Sequence, residues 1–449
     1  MIPEAWRRGE AAVVGLARSG QAATRLLRSL GVTVYASDSA ETDALRQAKV
    51  ALEREGASVE LGRHNLSRIG RASVAVMSPG VPPDAPAYDA AVAARVPVVA
   101  ELDLAARCLG RSPLVVTTGT KGKSTTSALI ACLLEATGLG LGEAAGNIGL
   151  PLAEVALAGD RGAWIAVEAS SFQLHDAPSL APSVGVLTNL SPDHLDRYPS
   201  LEAYYADKAL LFRNARSSSR WISNGDDPAV VEMTRRVPGT HERFSLDVSA
   251  AAAWFDRKAG WLNVRGMPLV RRAELGLLGD HNVANALAAA LAVPPDADRD
   301  RMAEGLRGFR PLHHRLEPVR EVDGVLWVND SKSTTVASTR SALEALDRPV
   351  VLLIGGRDKG GRFADLATPL RGARGVIAYG EAAGRVVREL DGLAPVVREG
   401  SDFGAVVARA RAMARPGDAV LLAPACSSFD MFRNAEERGT VFSELVGQL

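Results

Sequence analysis

Cysteine is scarce. Cys108, Cys132 and Cys426 are the only three, and they lie far apart in the chain. That spacing supports neither a disulfide framework nor a zinc site, and it suits a reducing compartment. Net charge is missing too, because 52 basic residues balance 52 acidic ones. No long-range field gathers nucleic acid or holds the chain on an anionic membrane, so any anionic ligand must be met by local groups. Hydrophobic residues make up 47% of the chain, yet no run approaches the roughly 18 unbroken apolar residues of a membrane span. Residues 1–10 are charged and lack the apolar stretch of a secretory signal. A cytoplasmic protein, bound to neither nucleic acid nor membrane, is expected. Internal repeats, low-complexity tracts and coiled-coil heptads are likewise absent.

What the sequence has is alternation. Short β-branched runs at residues 12–14, 32–35, 114–116, 165–167, 350–354, 376–379 and 419–422 are separated by longer Ala-, Leu- and Arg-rich stretches of helical period. That rhythm predicts parallel α/β sheets. At 449 residues the chain exceeds what one core serves. Three domains are expected: 1–99, 100–309 and 310–449, the last a doubly wound sheet of its own. The pair Pro294 and Pro295 is a rival for the second boundary.

The clearest chemistry lies at residues 114–126, an apolar strand running into Gly119-Thr120-Lys121-Gly122-Lys123-Ser124-Thr125 and then a helix over 127–137. This is a phosphate-binding loop in its usual strand–loop–helix setting. Glycines let backbone N–H groups approach phosphate, the helix N-terminus adds a positive dipole end, Lys123 neutralises β/γ oxygens and Ser124 suits magnesium. The loop is a shortened variant, with Thr117 where the general pattern has its first glycine.

Two further strands end in polar residues, at Glu168 and at 189–196, on what would be the binding edge of the sheet. Glu168 is a hard oxygen donor and His194 a possible ligand. Either residue alone also reads as a cap or turn residue, and Lys208, on a helix over 201–214, alone reads as a solvated lysine. Residues 12–20 with Asp38 form a dinucleotide-like fingerprint, weakened because Ala17 replaces its middle glycine.

Residues 118–125, 168–174, 189–196, 279–285 and the pair His314-Arg315, in that order, resemble the Mur ligase superfamily of ATP-dependent amide ligases. Residues 329–334 and 421–439 resemble its D-glutamate-adding branch. The resemblance spans essentially the whole chain. It implies a Rossmann-like N-terminal domain, a central P-loop ATPase-type α/β domain and a C-terminal doubly wound Rossmann-like domain. The implied substrates are ATP, UDP-N-acetylmuramoyl-L-alanine and D-glutamate, acted on by a monomer with two magnesium ions.

The resemblance also implies the residue roles. Lys123, His194, Lys208 and Lys332 would be catalytic, with Lys208 carrying a carbamate derived from carbon dioxide. Ser124 and Glu168 would hold one magnesium ion, His194 and the Lys208 carbamate the other. Asn282, Asn285, Arg315 and Asp330 would join the loop in gripping the nucleotide. Leu16, Asp38, Ser39, Ser78, Gly80 and Asn147 would bind the UDP-sugar. Lys332, Thr334, Lys359 and Ser428 would surround D-glutamate, two lysines suiting two carboxylates. Lys359 also reads as a loop lysine facing solvent.

The chain departs from the family pattern at Lys121, His313, Thr335 and Ala435. Rival readings are a sister ligase adding another amino acid, a non-catalytic UDP-sugar or ATP sensor, and a Rossmann dehydrogenase. A folate-type ligase is disfavoured by the hundred or so residues that precede the loop, and a diamino-acid ligase by the lack of an Asp-Asn-Pro-Arg run.

Overall fold

The computed structural model describes residues 1–193 and 197–449. Its first sheet has five strands in the order Ser58–Leu61, Thr33–Asp38, Glu10–Val14, Val74–Met77, Val98–Ala100. All are parallel, with Ala12 opposite both Tyr35 and Ala75. Helices cover both faces, so the central strands read as continuous apolar runs rather than alternating ones. Val13, Val14, Val34 and Val76 are almost wholly excluded from solvent.

The second sheet has nine strands. From one edge the order is Met267–Arg271, Trp261–Val264, Ala253–Asp256, Thr240–Ser245, Arg220–Asn224, Val184–Leu187, Leu114–Thr118, Ile165–Glu168 and Ala145–Gly146. Its core is parallel, but the pairings among residues 253–271 are antiparallel. This meander departs from the purely parallel rhythm expected above. Its strands are only four or five residues long and partly exposed, so they carry little β-branched signal. Both sheets lie in one compact unit, Met1–Glu274 with Ala284–Arg307, and share an apolar cluster running from Val13 and Leu102 to Val116 and Val167.

The other unit comprises Leu275–Val283 and Gly308–Leu449. Its six strands run Glu317–Val322, Val325–Asn329, Ala419–Leu422, Val350–Gly355, Gly375–Tyr379, Val396–Arg398. Only the first pair is antiparallel. Two cores, one around Leu352 and Phe363 and one around Trp327 and Phe442, cover its faces.

The helix expected at 127–137 begins four residues earlier, as Lys123–Ala136, and that over 201–214 is an α-helix at Leu201–Ala209 followed by a 3-10 turn at Leu210–Phe212. Among the described residues, no helix is long and apolar enough to cross a membrane.

Candidate active site

The strand Leu114–Thr118 delivers its C-terminal end into the phosphate loop. Gly119 has φ +144°, and a Cβ there would lie 2.0 Å from Thr188 Oγ1. Gly122 has φ +79°, and a Cβ would lie 2.4 Å from Asn285 Oδ1. Only glycine fits either position, for conformation and for space. Gly122, the N-cap of helix Lys123–Ala136, has no side chain with which to cap that end. The first N–H groups of the helix therefore point into the loop, the arrangement that receives phosphate.

A neighbouring segment splints the loop. Thr120 N–H donates to Asn189 O at 2.9 Å and Lys121 N–H to Asn189 Oδ1 at 2.9 Å, while Lys121 O accepts from Thr188 Oγ1 at 2.6 Å and Asn189 Nδ2 at 3.0 Å. The sequence reading used Asn189 only as part of a motif. Its role as a splint was signalled solely by its place at a strand C-terminus. At Lys121, one of the departures, the backbone makes these contacts and the residue is exposed. Thr126 Oγ1 donates to Asn285 Oδ1 at 3.1 Å, which ties Asn285 to the first turn of the loop helix. Ser124 is buried at the same turn.

Beside the loop are two buried groups of opposite kind. Glu168 ends its strand with 1% of its surface exposed; Oε1 accepts from Asn147 Nδ2 at 2.7 Å, and buried Oε2 has no hydrogen-bond partner among the described residues. A carboxylate oxygen in that condition is costly unless something positive meets it, and a hard cation is the fitting partner. Lys208 is also 1% exposed. Its Nζ donates to Gly119 O at 2.6 Å and lies 4.5 Å from the centre of the Tyr204 ring.

Gly119 O also accepts from Lys123 Nζ at 3.0 Å. Two amines converging on one carbonyl disfavour a second positive charge. Burial first, and then the charge of Lys123, push the Lys208 amine down to about 7, against the pull of Asp193, Glu168 and Asp207. Near neutrality a large share of it is an uncharged nucleophile. His194 lies outside the described residues. Among the described residues no cluster of three His, Cys, Asp or Glu side chains forms a cation site. The Ser124 hydroxyl and Glu168 Oε2 are hard oxygen donors of the kind magnesium takes.

At the C-terminal ends of the first sheet, Asp38 Oδ2 accepts from Leu16 N–H at 2.7 Å and Oδ1 from Ala40 N–H at 2.9 Å. Ser78 Oγ donates to Gly15 O at 2.7 Å. Leu16, Asp38, Ser39, Ser78 and Gly80 thus gather at one sheet edge, with Ser39 and Gly80 exposed. A cavity of about 260 Å³ opens beside Ser78, bounded by Met77, Phe172, Gln173 and Tyr198. Asn147, expected to touch substrate, is bound to Glu168 through its side chain and through its N–H, which donates to Glu168 O at 2.9 Å.

In the other unit three loops meet at strand ends. Asp330 is nearly buried, accepts from Leu316 N–H at 3.1 Å and from Ser333 Oγ, and is pushed up to about 6 by that burial. Lys332 pairs with Glu436, and Lys359 Nζ donates to Thr334 Oγ1 at 3.2 Å. Ser428 is buried in the third loop, whose neighbour Ser427 exchanges backbone hydrogen bonds with Arg357 at 2.9 and 3.0 Å.

A residue with no assigned role knits the first and third loops together: wholly buried Arg438 donates to Ser331 Oγ, Ser331 O and Cys426 O at 3.0, 2.9 and 3.2 Å. Asn282 Nδ2 donates to Leu278 O at 2.8 Å. Arg315 follows His314, which has φ +64°.

The remaining departures have local reasons. Thr335 is the N-cap of helix Val336–Glu344, within a reciprocal cap with Ser338. His313 Nδ1 pairs with Glu317 at 2.9 Å. Ala435 offers its carbonyl to Ser331 Oγ at 2.7 Å.

Three family models match the chain in succession. A MurD-like N-terminal domain of Mur ligases matches residues 9–100, the Mur ligase middle domain 117–293 and the Mur ligase glutamate ligase domain 314–426. Among curated proteins, the chain is 40% identical to the UDP-N-acetylmuramoylalanine–D-glutamate ligase of Salinibacter ruber, with 100% of both chains covered. It is 41% identical to that of Anaeromyxobacter dehalogenans, over 97% of this chain and 96% of the relative, and 40% identical to that of Myxococcus xanthus, over 97% and 98%. Among solved structures it is similar in fold to the UDP-N-acetylmuramate–alanine ligase of Thermotoga maritima, with TM-score 0.62, 19% identity and 98% and 99% of the two chains covered. A pseudomurein peptide ligase of type C from Methanothermus fervidus gives TM-score 0.61 at 20% identity, over 98% and 99%.

Proposed function

The chain belongs to the Mur ligase family, among the UDP-N-acetylmuramoylalanine–D-glutamate ligases, and we propose that it joins D-glutamate to UDP-N-acetylmuramoyl-L-alanine with ATP, in peptidoglycan precursor synthesis. One observation carries the chemical reading. A phosphate loop, a buried carboxylate oxygen without a partner among the described residues and a buried amine near neutrality stand together in a chain that matches D-glutamate ligases over its whole length. A sensor of nucleotide or UDP-sugar has no use for the last two.

In this reading the substrate carboxylate attacks the γ-phosphorus of ATP, the bond to the β-phosphate oxygen breaks, and an acyl-phosphate and ADP form. The D-glutamate amine then adds to the acyl carbon and gives up a proton to solvent, and the tetrahedral intermediate expels phosphate. The first step brings two anions together, so the site must screen them. Lys123, the loop N–H groups and the helix N-terminus do so from the protein side.

Ser124 and Glu168 would hold one magnesium ion and His194 with the Lys208 carbamate another, and these ions would supply charge neutralisation. The Lys208 amine is suited to the carbamate because only an uncharged amine adds to carbon dioxide. The N–C bond forms, one C–O π pair moves onto oxygen, and a proton leaves Nζ for solvent. We assign Asn282, Asn285, Arg315 and Asp330 to the nucleotide. The UDP-sugar falls to Leu16, Asp38, Ser39, Ser78, Gly80 and Asn147. Lys332, Thr334, Lys359 and Ser428 receive D-glutamate.

The domain limit at 309/310 falls between sheets that span residues 114–271 and 317–422, and that at 99/100 falls within the last strand, Val98–Ala100, of the first sheet. A cytoplasmic monomer, free of nucleic acid and membrane, fits a balanced charge and small soluble substrates.

The test is phosphate release from ATP with UDP-N-acetylmuramoyl-L-alanine and one amino acid at a time: D-glutamate, L-glutamate, L-lysine or meso-diaminopimelate. Release with D-glutamate alone is expected. Release with another amino acid would make the chain a sister ligase, and no release with any would favour the sensor.

A further inference from the structure

The helix that carries Lys208 is short and is held by a handful of groups, among them the Ser200 cap at its start, the Tyr204 hydroxyl 3.4 Å from Thr120 Oγ1, and Lys208 itself. Leu201–Ala209 is nine residues long and buries only two side chains, Tyr204 and Lys208 itself. A helix of that length gains its position from tertiary contacts rather than from its own stability. The neighbouring residue provides a further anchor. Asp207, whose side chain is 16% exposed, accepts from His175 Nδ1 at 2.8 Å through Oδ1 and from the Tyr198 hydroxyl at 2.9 Å through Oδ2.

One donor lies in the helix that follows Glu168, and the other packs on that helix. His175 is the last residue of helix Ser171–His175, capped by Ser170 two residues beyond Glu168. The Tyr198 ring stacks on Phe172 of that helix at 5.2 Å and 15°, and meets the Tyr204 ring at a tilt, at 5.2 Å and 59°. The helix that follows Glu168 and the helix bearing Lys208 are thus joined through one carboxylate. The other charged groups that act on His175 are Asp176, which accepts from the Tyr88 hydroxyl at 2.8 Å, and Arg213.

We propose that Asp207, gripped by His175 and Tyr198, is a positioning residue for Lys208, fixing its helix so that the amine stays against Gly119 O and the carbamate there forms in high yield. Asp207, with His175 and Tyr198, also lines the cavity beside Ser78; its effect on the amine runs through the helix. The proposal rests on the carbamate reading above. The step it governs is the addition already written, with carbon dioxide as co-reactant and the proton leaving to solvent.

The experiment uses the full-length enzyme as wild type, Asp207→Ala, Asp207→Asn and His175→Ala, equilibrated with carbon-13-labelled bicarbonate. The carbamate resonance is integrated per protein, with Lys208→Ala as the blank, and kcat and KM are measured in parallel. Asp207→Ala should lose about tenfold in carbamate and in kcat, the effect of about one charge-assisted hydrogen bond, with KM for ATP and for D-glutamate within about twofold. Added bicarbonate should recover part of its kcat. Asp207→Asn, which still accepts a hydrogen bond, should retain most of the signal, and His175→Ala should fall between.

Wild-type carbamate and kcat in a folded Asp207→Ala protein would overturn the proposal. Should Asp207→Ala fail to fold, His175→Ala decides, since its ring is half-exposed; an unchanged resonance there would overturn the proposal equally. A wild-type enzyme that ligates without showing the resonance removes the carbamate reading and this proposal together, an outcome set apart by the wild-type arm.

Discussion

At the scale of the residue, the account turns on Lys208. Burial and Lys123 hold its amine at about 7, well below the ordinary lysine value of 10.5. Competitive labelling of the ligand-free protein with a small amine reagent, read by peptide mass spectrometry, should show the Lys208 peptide titrating near neutrality. A midpoint at the ordinary lysine value would mean that the amine is solvated and the site is read wrongly. The sign for stability follows. The folded value lies below the unfolded one, so between about 7 and 10.5 the unfolded chain binds more protons and stability from this group rises with pH. Asp38 makes a second prediction. It accepts from Leu16 and Ala40 N–H groups at a sheet edge assigned to the UDP-sugar. Asp38→Ala should raise KM for that substrate roughly tenfold, as expected for lost hydrogen bonds to a charged group, and leave KM for D-glutamate unchanged.

At the scale of the element, the phosphate loop is the most demanding piece. Gly119→Ala would force a Cβ to within 2.0 Å of Thr188 Oγ1 at a φ that side chains avoid. A loss of roughly 2 kcal/mol in stability and of most phosphate release is expected, measured by thermal melts and turnover; near-wild-type turnover would show that the loop does not carry the nucleotide. This element was legible in the sequence because glycine, lysine and serine stand at fixed spacing after an apolar strand. The buried parallel strands were legible for a related reason, since burial on both faces leaves unbroken β-branched runs such as residues 350–354. What escaped were contacts made across the chain. Asn189 splints a loop almost seventy residues earlier, Arg438 reaches Ser331 across more than a hundred, and Asp207 meets His175 thirty-two residues away. No period or local propensity records such pairs. The antiparallel strands at residues 253–271 escaped because they are short and half-exposed.

At the scale of the whole molecule, two units with separate apolar cores should unfold as separate cooperative bodies. Calorimetry should resolve two transitions. UDP-N-acetylmuramoyl-L-alanine alone should raise only the one assigned by hydrogen exchange to Met1–Glu274 with Ala284–Arg307, by about 2.7 kcal/mol at a hundredfold excess over Kd. A shift confined to the other unit would misplace the UDP-sugar. The central claim is that the substrate carboxylate is activated by the γ-phosphate before D-glutamate attacks. It is tested most directly with UDP-N-acetylmuramoyl-L-alanine labelled with oxygen-18 in its terminal carboxylate, incubated with ATP and D-glutamate and followed by mass spectrometry of phosphate and product. The account predicts one labelled oxygen in the released phosphate and a product heavier by one glutamyl residue; unlabelled phosphate beside that product would contradict it.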